Sequence, residues 1–505
     1  MKSFLKKFFA RWKSPVIVKR DYLAAVHNRL THDWIAGTTS ADAELRSGAK
    51  ILRARCRDLE RNNDYARRYF KLLENNVLGS EGVVLQMKIR EPKQINGKWT
   101  DGYDVLANQI IEESWSRWGE SRLCSVTRQY TWQDLQRLVL RSTARDGFVL
   151  VRKHYTERAA PYYFAIEPIE ADLLDIDHNA TLPNGGVIRL GVEYDEMGAP
   201  SYYHLLRHHP GEMYQPRSGP GAPWRERVPA SEMLCIYMPE RIGQSVGVPW
   251  LASSMLRLKH LASYEEAEVT AARVAAGKMG FLVAQANATG AGYSGAETPS
   301  GNKYMDVEPG SIEILPQGYS IASFDPSHPS TAFGDFVKSC LRGISSGLGV
   351  SYNSLANDLE NVNYSSIRAG LIEEREEWKS IQRWFVQWFI TPVFSDWLRM
   401  AASSGALTNG RITLPATKLD KWNQPTWIAR RWPWVDPLKD MQASVLAVEK
   451  GFASRRSVIA ESGGDIEDTF RDLAADDALA EQYGIDFSST NSGAEKTGAL
   501  TEDEK

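Results

Sequence analysis

The sequence predicts an α+β chain in which long helical stretches bracket one β-rich block. Three observations carry this. Apolar residues recur at helical spacing over several long stretches, the longest running from about Ser365 to Ala402. Between Phe148 and Tyr237 the pattern changes to short apolar or alternating runs separated by Gly, Pro and Asn, as strands and turns require. A length of 505 residues with 43% hydrophobic content supplies core for about two to four domains.

Composition narrows the class. A mean hydropathy of -0.39 argues against a membrane protein. The most apolar run, Trp384 to Phe394, is broken by Gln387, Thr391 and Pro392 and is too short to span a bilayer. Cys56, Cys124, Cys235 and Cys340 lie far apart with no C-x-x-C pair, which favours reduced thiols in a cytosolic setting over a disulfide frame or a zinc site. Trp is abundant, at 16 residues, and Trp378, Trp384, Trp388, Trp397, Trp422, Trp427, Trp432 and Trp434 crowd one region. Trp is enriched at interface cores, so an oligomer fits; dense packing within the chain accounts for the same crowding.

Taken in order, the chain opens on Lys2, Lys6, Lys7, Arg11, Lys13, Lys19 and Arg20, interleaved with Phe4, Leu5, Phe8, Phe9 and Trp12 and free of acids before Asp21. The apolar core of a signal peptide is missing there. Such a segment suits an anionic surface, a partner, or an arm that orders on assembly. Ser40 to Gly79 reads as two helices, the second capped by Asn62-Asn63-Asp64. Lys50, Arg53, Arg55, Arg57 and Arg61 on the first are interleaved with Asp58 and Glu60, which predicts a salt-bridged solvated or intersubunit face rather than a nucleic-acid contact. Val83, Leu85, Met87 and Ile89 alternate with polar neighbours as a half-buried strand, Asn96-Gly97 signals a hairpin, and a helix follows from about Tyr103 to Trp118.

Thr131-Trp-Gln-Asp134 has capping-box spacing and opens a helix to about Arg145. Strands are predicted over Phe148 to Tyr155, Tyr162 to Ile166, Val187 to Tyr194, Ser201 to Leu206 and Met233 to Tyr237. Pro249 then opens a second long helix, Trp250 to about Gly277. Leu251, Met255, Leu258 and Leu261 stripe its first half, while Ala262, Ala267, Ala271, Ala272, Ala275 and Ala276 keep its second half slim, either for close helix contact or simply for helix propensity. A strand over Phe281 to Gln285, a Gly/Ser/Thr-rich tract from Asn287 to Gly301 and short strands near Ile312 to Leu315 and Tyr319 to Ser323 follow.

The region from Thr331 to Ala402 reads as a short helix (Phe333 to Leu341), a polar loop and one very long helix. The loop, Tyr352 to Asn363, contains Asn353, Asn357, Asp358, Leu359, Glu360, Asn361 and Asn363 and has neither helical nor strand period. In the long helix Ile367, Leu371, Trp378, Ile381, Phe385 and Trp388 recur as a core stripe, Glu373 to Glu377 cover the other faces, and Pro392 is expected to kink or end it. A sensor, a lid and a plain connection all fit this pattern. Helices continue beyond Pro437 to about Gly463, and the tail from Ser488 has a disordered composition.

A resemblance separates these readings. Asn363-Tyr-Ser-Ser-Ile-Arg-Ala-Gly-Leu-Ile-Glu-Glu374, followed by Pro392 and by Trp434-Val-Asp-Pro-Leu-Lys439, resembles the portal proteins of lambda-type tailed bacteriophages. Pro309-Gly310, Leu315-Pro-Gln-Gly318 and Asp325-Pro-Ser-His-Pro329 do so as well. The likeness runs from about Asp21 to Asp468 and is carried by the order and spacing of these segments, none of which is chemically diagnostic alone. It implies a portal fold with wing, helical stem, β-rich clip, long tunnel-side helix and C-terminal helical crown. The divisions would be a basic arm at 1–40, wing at 41–130, first stem helix at 131–147, clip at 148–240, second stem helix at 247–278, and wing again at 279–351. A tunnel loop at 352–364, the long helix at 365–402, wing and crown helices at 403–487 and a disordered tail at 488–505 would complete the chain.

The resemblance further implies a virion protein, assembled in the host cytoplasm as a dodecameric ring at one capsid vertex. Its partners would be the terminase large subunit, the major capsid or scaffold protein, the head–tail connector and double-stranded DNA that passes without sequence recognition. No stable membrane insertion, cofactor, metal or catalytic residue is implied. The loop residues Asn353 to Asn363 would line the channel, and Leu251, Met255, Leu258, Ala262, Ala267, Ala271 and Ala275 would meet neighbouring subunits. A formal net charge of -3 does not suit a domain that grips DNA through its phosphates, and it is compatible with a conduit, where tight contacts would act as a brake.

Other chemistries are weaker. Gly343-Ile-Ser345-Ser-Gly347 matches the G-x-S-x-G elbow of serine hydrolases, yet a helical pattern precedes it where that elbow needs a strand. His204, His208 and His209 occupy a strand-like segment in which a four-residue spacing makes no compact chelate. Ala276-Gly-Lys-Met279 lacks the earlier Gly and the Ser/Thr of a phosphate-binding loop. The remaining alternatives are another structural head or tail protein and a hydrolase built on Ser345.

Overall fold

The computed structural model describes residues 29, 32–95, 98–183, 185–212, 224–276, 280–284, 296–297, 303–304, 319–323, 333–360, 364–432, 437–462 and 466–483. The expectations for most of the basic arm, for much of the tract at 287–301, for the strand near Ile312, for Asn361 and Asn363 and for the tail at 488–505 fall outside the described residues.

Local signals in the first third build the elements they predict. Helices α1 (Ala41–Asn62) and α2 (Asp64–Val77) are capped by Ser40 and Asn63, whose side chains accept from Ala43 N and Ala66 N. Strand β1 (Val84–Met87) follows, and β2 (Arg90–Ile95) and β3 (Lys98–Tyr103) pair with Ile95 opposite Lys98, the register of a two-residue hairpin. Helix α3 (Val105–Glu120) precedes α4 (Trp132–Asp146). At the start of α4, Thr131 accepts from Asp134 N while the Asp134 carboxylate accepts from Thr131 N, a reciprocal cap.

The β-rich block holds β4 (Phe148–Tyr155), β5 (Phe164–Ile169), β6 (Ala180–Thr181), β7 (Val187–Arg189), β8 (Val192–Tyr194), β9 (Pro200–Leu206), β10 (Arg225–Pro229) and β11 (Met233–Tyr237). These form antiparallel sheets of order β11-β4-β5 and β10-β9-β8-β7-β6. The single strand expected from Val187 to Tyr194 is two, because Leu190 (φ 49°) and Gly191 (φ 78°) turn the chain in the left-handed region a tight hairpin needs. Strand β10 escaped the sequence reading because Arg225-Glu-Arg-Val-Pro229 carries a single apolar residue that packs inward, Val228. Strand β4 serves two cores at once: Val149 and Val151 enter the main cluster, and Phe148 and Leu150 enter a smaller one between α1 and the sheets.

Helix α5 (Met255–Ala276) begins one turn later than predicted, since Trp250 to Ser254 form turns. Strands β12 (Gly280–Ala284), β13 (Ala296–Glu297), β14 (Lys303–Tyr304) and β15 (Tyr319–Ser323) follow, with β12 paired to β15 and β13 to β14. Helix α6 spans Phe333–Leu348, seven residues beyond the expected end at Leu341, and α7 (Tyr352–Ala356) and α8 (Tyr364–Phe385) come next. Pro392 neither ends nor breaks the long helix. A wide π turn (Val386–Ile390) carries α8 into α9 (Thr391–Ser403), and the looser turn gives the proline ring room against the preceding carbonyls. Helix α10 (Leu419–Trp422) leads to β16 (Pro425–Ile428), which pairs with β1 and ties the two ends of the main body together. Helices α11 (Pro437–Glu449), α12 (Arg455–Ser462) and α13 (Ile466–Tyr483) extend past the expected limit at Gly463.

Seven of the tryptophans settle inside the chain, whereas Trp34, Trp224 and Trp388 are exposed. Trp115, Trp118, Trp132, Trp378, Trp384, Trp397 and Trp422 are all buried. Trp115 stacks on Trp118 at 4.7 Å and meets Trp397 edge-on at 5.0 Å, and the Trp118 indole donates to Phe164 O at 2.8 Å. Each such pair adds about 0.5–1.5 kcal/mol beyond area burial. Packing within the chain therefore accounts for these residues, rather than subunit contact.

Two arginines of α1, Arg53 and Arg57, turn inward, while Arg55 and Arg61 stay exposed as predicted for a solvated face. Arg53 is buried and reaches Asp172 (2.9 Å), and Arg57 bridges Asp146 (2.7 Å), Glu170 (2.9 Å) and Asp172. Arg141 joins Glu60 (2.6 Å) to Glu74 (2.8 Å), so α1, α2, α4 and the β block share one ion network. Asp146 and Asp172 lie in that network because a buried carboxylate persists only when paired.

Candidate functional site

The segment after α6 is a small mounted loop. Ser351 caps α7, accepting from Ser354 N, and Asn357 ends it in the left-handed conformation (φ 54°) that Asn tolerates. The expected irregular loop is thus shorter: Asn353 lies on α7, half-buried, and the irregular part starts at Asn357. The S-x-x-S spacing at Ser351 and Ser354 was the available signal for this helix.

The root of the loop is fixed by groups the sequence reading did not assign. The Ser354 hydroxyl donates to Glu374 on α8 (3.0 Å), Trp378 Nε1 donates to the same carboxylate (3.3 Å), and Arg68 on α2 donates to Ser354 O (3.1 Å). Glu374 is buried, so the acidic run from Glu373 to Glu377 is not uniformly a solvated face: Glu373, Glu376 and Glu377 are exposed and Glu374 faces inward. Gln382 clamps the next part of α8 by donating to Asn76 O (3.1 Å), Val77 O (3.2 Å) and Arg430 O (2.9 Å).

Within the loop the predicted residues part company. Asp358 accepts from the Tyr352 hydroxyl (2.7 Å) and from Glu360 N (2.9 Å), with Lys338 at 3.7 Å. The hydrogen bond from Tyr352 and the one from Glu360 N hold the Asp358 carboxyl below its usual range, while burial and then the hydrogen bond to Asp358 push the Tyr352 phenol up to about 12. Asp358 therefore shapes the loop. Asn357, Leu359 and Glu360 face solvent, Leu359 at 68% exposure.

The predicted core stripe of the long helix holds for Trp378, Ile381 and Phe385, which are buried; Leu371 is half-buried, and the Ile367 side chain lies outside the described residues. Trp388 does not belong to it. It is 40% exposed against Tyr237, because the extra residue of the π turn rotates it off the face that Phe385 and Phe389 continue.

The predicted intersubunit stripe of α5 also divides. Leu251, Met255 and Leu258 are buried in this chain's own core, which removes them from any outer contact surface. Ala262 and Ala271 are half-buried and Ala267 is exposed; the Ala275 side chain lies outside the described residues. The apolar groups that α5 presents outward are Leu256 (69% exposed) and Val269 (60%), and Phe336 on α6 is half-exposed nearby, edge-on to Tyr264 at 4.9 Å. Tyr65 holds α5 to α2 by donating to Glu265 at 3.0 Å.

The rival chemistries find no support in the geometry. Ser345 sits in the last turn of α6, buried, and its hydroxyl donates to Arg342 O (3.0 Å), so it is not on a strand-to-helix elbow. Gly343 and Gly347 instead let α6 cross the start of α5: a Cβ at Gly343 would meet Arg257 Nη1 at 1.9 Å, and one at Gly347 would meet Ser254 Oγ at 2.7 Å. His204 pairs with Glu193 (3.2 Å), itself held by Arg227 (2.7 Å). His209 comes near Glu170 and Asp172, close enough for a shared ion, but both carboxylates are already engaged by Arg57. The four cysteines are free, and burial pushes the Cys124 and Cys235 thiols up to about 12.

What this defines is a helical frame that holds one short segment out into solvent. The sequence pattern of the family described as phage portal protein, lambda family, matches residues 27–382, and the chain belongs to that family. It is 32% identical over 480 residues to the probable portal protein of Halomonas phage phiHAP-1, covering 94% of this chain and 89% of that one. It is 23% identical over 473 residues to the portal protein of Escherichia phage N15, with 86% of each covered. To portal protein B of Escherichia phage lambda it is 22% identical over 467 residues, covering 86% of this chain and 85% of that one. Among solved structures it is similar to a chain from the neck of a native gene transfer agent particle computed with C12 symmetry, with TM-score 0.41, 11% identity, 81% of this chain covered and 92% of that one. No described helix is long and apolar enough to cross a membrane.

Proposed function

We propose that copies of this phage portal protein close into a dodecameric ring at one capsid vertex, through which double-stranded DNA enters and leaves the head. The family relation supports this reading, and one observation carries the mechanism: Leu359 stands exposed in a loop whose root is clamped to α2 and α8. A loop so mounted meets a passing duplex from a fixed root, and Leu359 and Glu360 offer no cation to grip phosphates. Displacement at the tip passes through Ser354 and Glu374 into α8, whose buried stripe moves as one body with the core.

In this reading residues 41–130 and 279–351 form the wing, α4 and α5 the stem, the β-rich block at 148–240 the clip, and residues 403–487 further wing and crown. The order of helix, sheets and helix supports it. The outward Leu256, Val269 and Phe336 supply an apolar surface that a neighbouring copy would cover. The terminase large subunit, the capsid or scaffold protein and the head–tail connector are the partners the family relation suggests, met first in the host cytoplasm and then in the virion.

The test is deletion of residues 359–361, which spares α7 and its clamps. Rings of normal size with reduced packaged or retained DNA are expected, scored by negative-stain images and genome content per particle. Normal genome content in intact rings would refute the loop's role; monomers at high concentration of the unmodified chain would refute the ring.

A further inference from the structure

Between β1, α3 and the start of α4 the surface opens into a cleft of about 470 Å³. Its floor is apolar, made of Val83, Leu85, Trp115 and Trp132, all part of the main core. Its rim is acidic, with Glu81, Glu112 and Glu120. Among the described residues neither Glu81 nor Glu120 pairs with a cation; Glu120 only accepts from the Ser116 hydroxyl. A cavity of about 150 Å³ holds one benzene-sized ring, so this one has room for two or three.

The same chain carries the complement. Its first twenty residues hold Lys2, Lys6, Lys7, Arg11, Lys13, Lys19 and Arg20 and no acid, and Phe4, Leu5, Phe8, Phe9 and Trp12 step by four, the spacing of one helix face. We propose that the cleft is the docking site of this N-terminal segment, its aromatic stripe seated on Trp115 and Trp132 and its cations against the acidic rim. Apolar side chains in a groove supply the affinity and the flanking charges fix the orientation.

Reach is sufficient. The chain leaves α1 at Ser40, where Arg241 donates to Thr39 O at 3.0 Å. Arg57 of α1 touches Asp146 at the far end of α4, so α1 back to Ala41 plus α4 back to Trp132 add to about 45 Å at about 1.5 Å per residue. Residues 13–40 span up to about 90 Å when extended, enough for the cleft of the same copy or of an adjacent one.

The experiment uses the full-length chain in which Cys340→Ser removes one native thiol and Phe9→Cys and Gln133→Cys place new ones on the segment and in the cleft. Mild oxidation is expected to form the 9–133 disulfide about ten-fold faster than a control pair of Phe9→Cys with Met197→Cys, an exposed position on the β8–β9 turn. Adding Glu81→Lys and Glu120→Lys, with the helical circular dichroism unchanged, is expected to slow it several-fold, as is about 0.5 M NaCl. Equal rates for the two pairs would overturn the proposal. So would indifference to charge reversal, or loss of the 9–133 product when vesicles of anionic phosphatidylglycerol are added, which would assign the segment to a lipid surface instead.

Discussion

The core around Trp118 and the outer half of α5 differ in what they leave to other molecules. Around Trp118, aromatic side chains from α3, α4, α9 and the sheets meet one another, and the indole of Trp118 is satisfied by Phe164 O. Beyond Tyr264, α5 presents alanines and exposed Val269 to solvent, with few partners in the chain. The first region is complete in a single copy. The second is helical because alanine favours the helix, not because tertiary packing demands it. Stability therefore resides in the aromatic body, and the slim helix is the part the proposed ring leaves for a neighbouring copy.

The largest test of that contrast is Trp118→Ala. It removes a fully buried ring from the centre of the cluster and should cost about 3–5 kcal/mol, read as a lower denaturant midpoint. Equal loss from Val269→Ala would break the comparison. Arg57→Ala comes next. It leaves the buried Asp146 with Arg145 alone and should cost about 1–3 kcal/mol; a neutral result would mean that Arg145 and water satisfy Asp146.

Acidification should weaken the five-stranded sheet selectively. Burial holds His204 below the ordinary 6.5, and the hydrogen bond from Arg227 holds Glu193 below 4.5. Both folded values are depressed, so the unfolded chain binds more protons; stability present above about pH 6.5 falls as His204 titrates and again below about pH 4.5 with Glu193. His204→Gln should flatten the upper part of that loss in urea titrations at pH 7 and pH 5. The smallest effect on the single chain is expected of Leu256→Lys and Val269→Lys, within about 0.5 kcal/mol of the parent, with ring assembly lost in negative-stain images. Intact rings from both would remove this face from the interface.

Much of the candidate site was legible because its signals are local. The Thr131–Asp134 cap, the pairing of β2 with β3 and the stripe of Trp378, Ile381 and Phe385 depend on neighbours a few residues away, and each is present as its spacing requires. Trp388 falls off the stripe because nothing in the spacing announces the π turn that joins α8 to α9 just ahead of Pro392. Leu251, Met255 and Leu258 show the other limit: a stripe states that a face is apolar and is silent on whether this copy or the next covers it.

By itself the sequence determined the alternation of helices and strands, the exposed polar loop and the family, because period, caps and motif order are properties of the chain read along its length. Only the tertiary structure decided which carboxylate of the acidic run turns inward, that Asp358 is tied to Tyr352 within the loop, and that tryptophans such as Trp118 and Trp397 serve the chain's own interior. Those outcomes depend on partners tens to hundreds of residues away, such as Arg68 for Ser354 and Phe164 for Trp118, and burial among such partners is set by the packed whole.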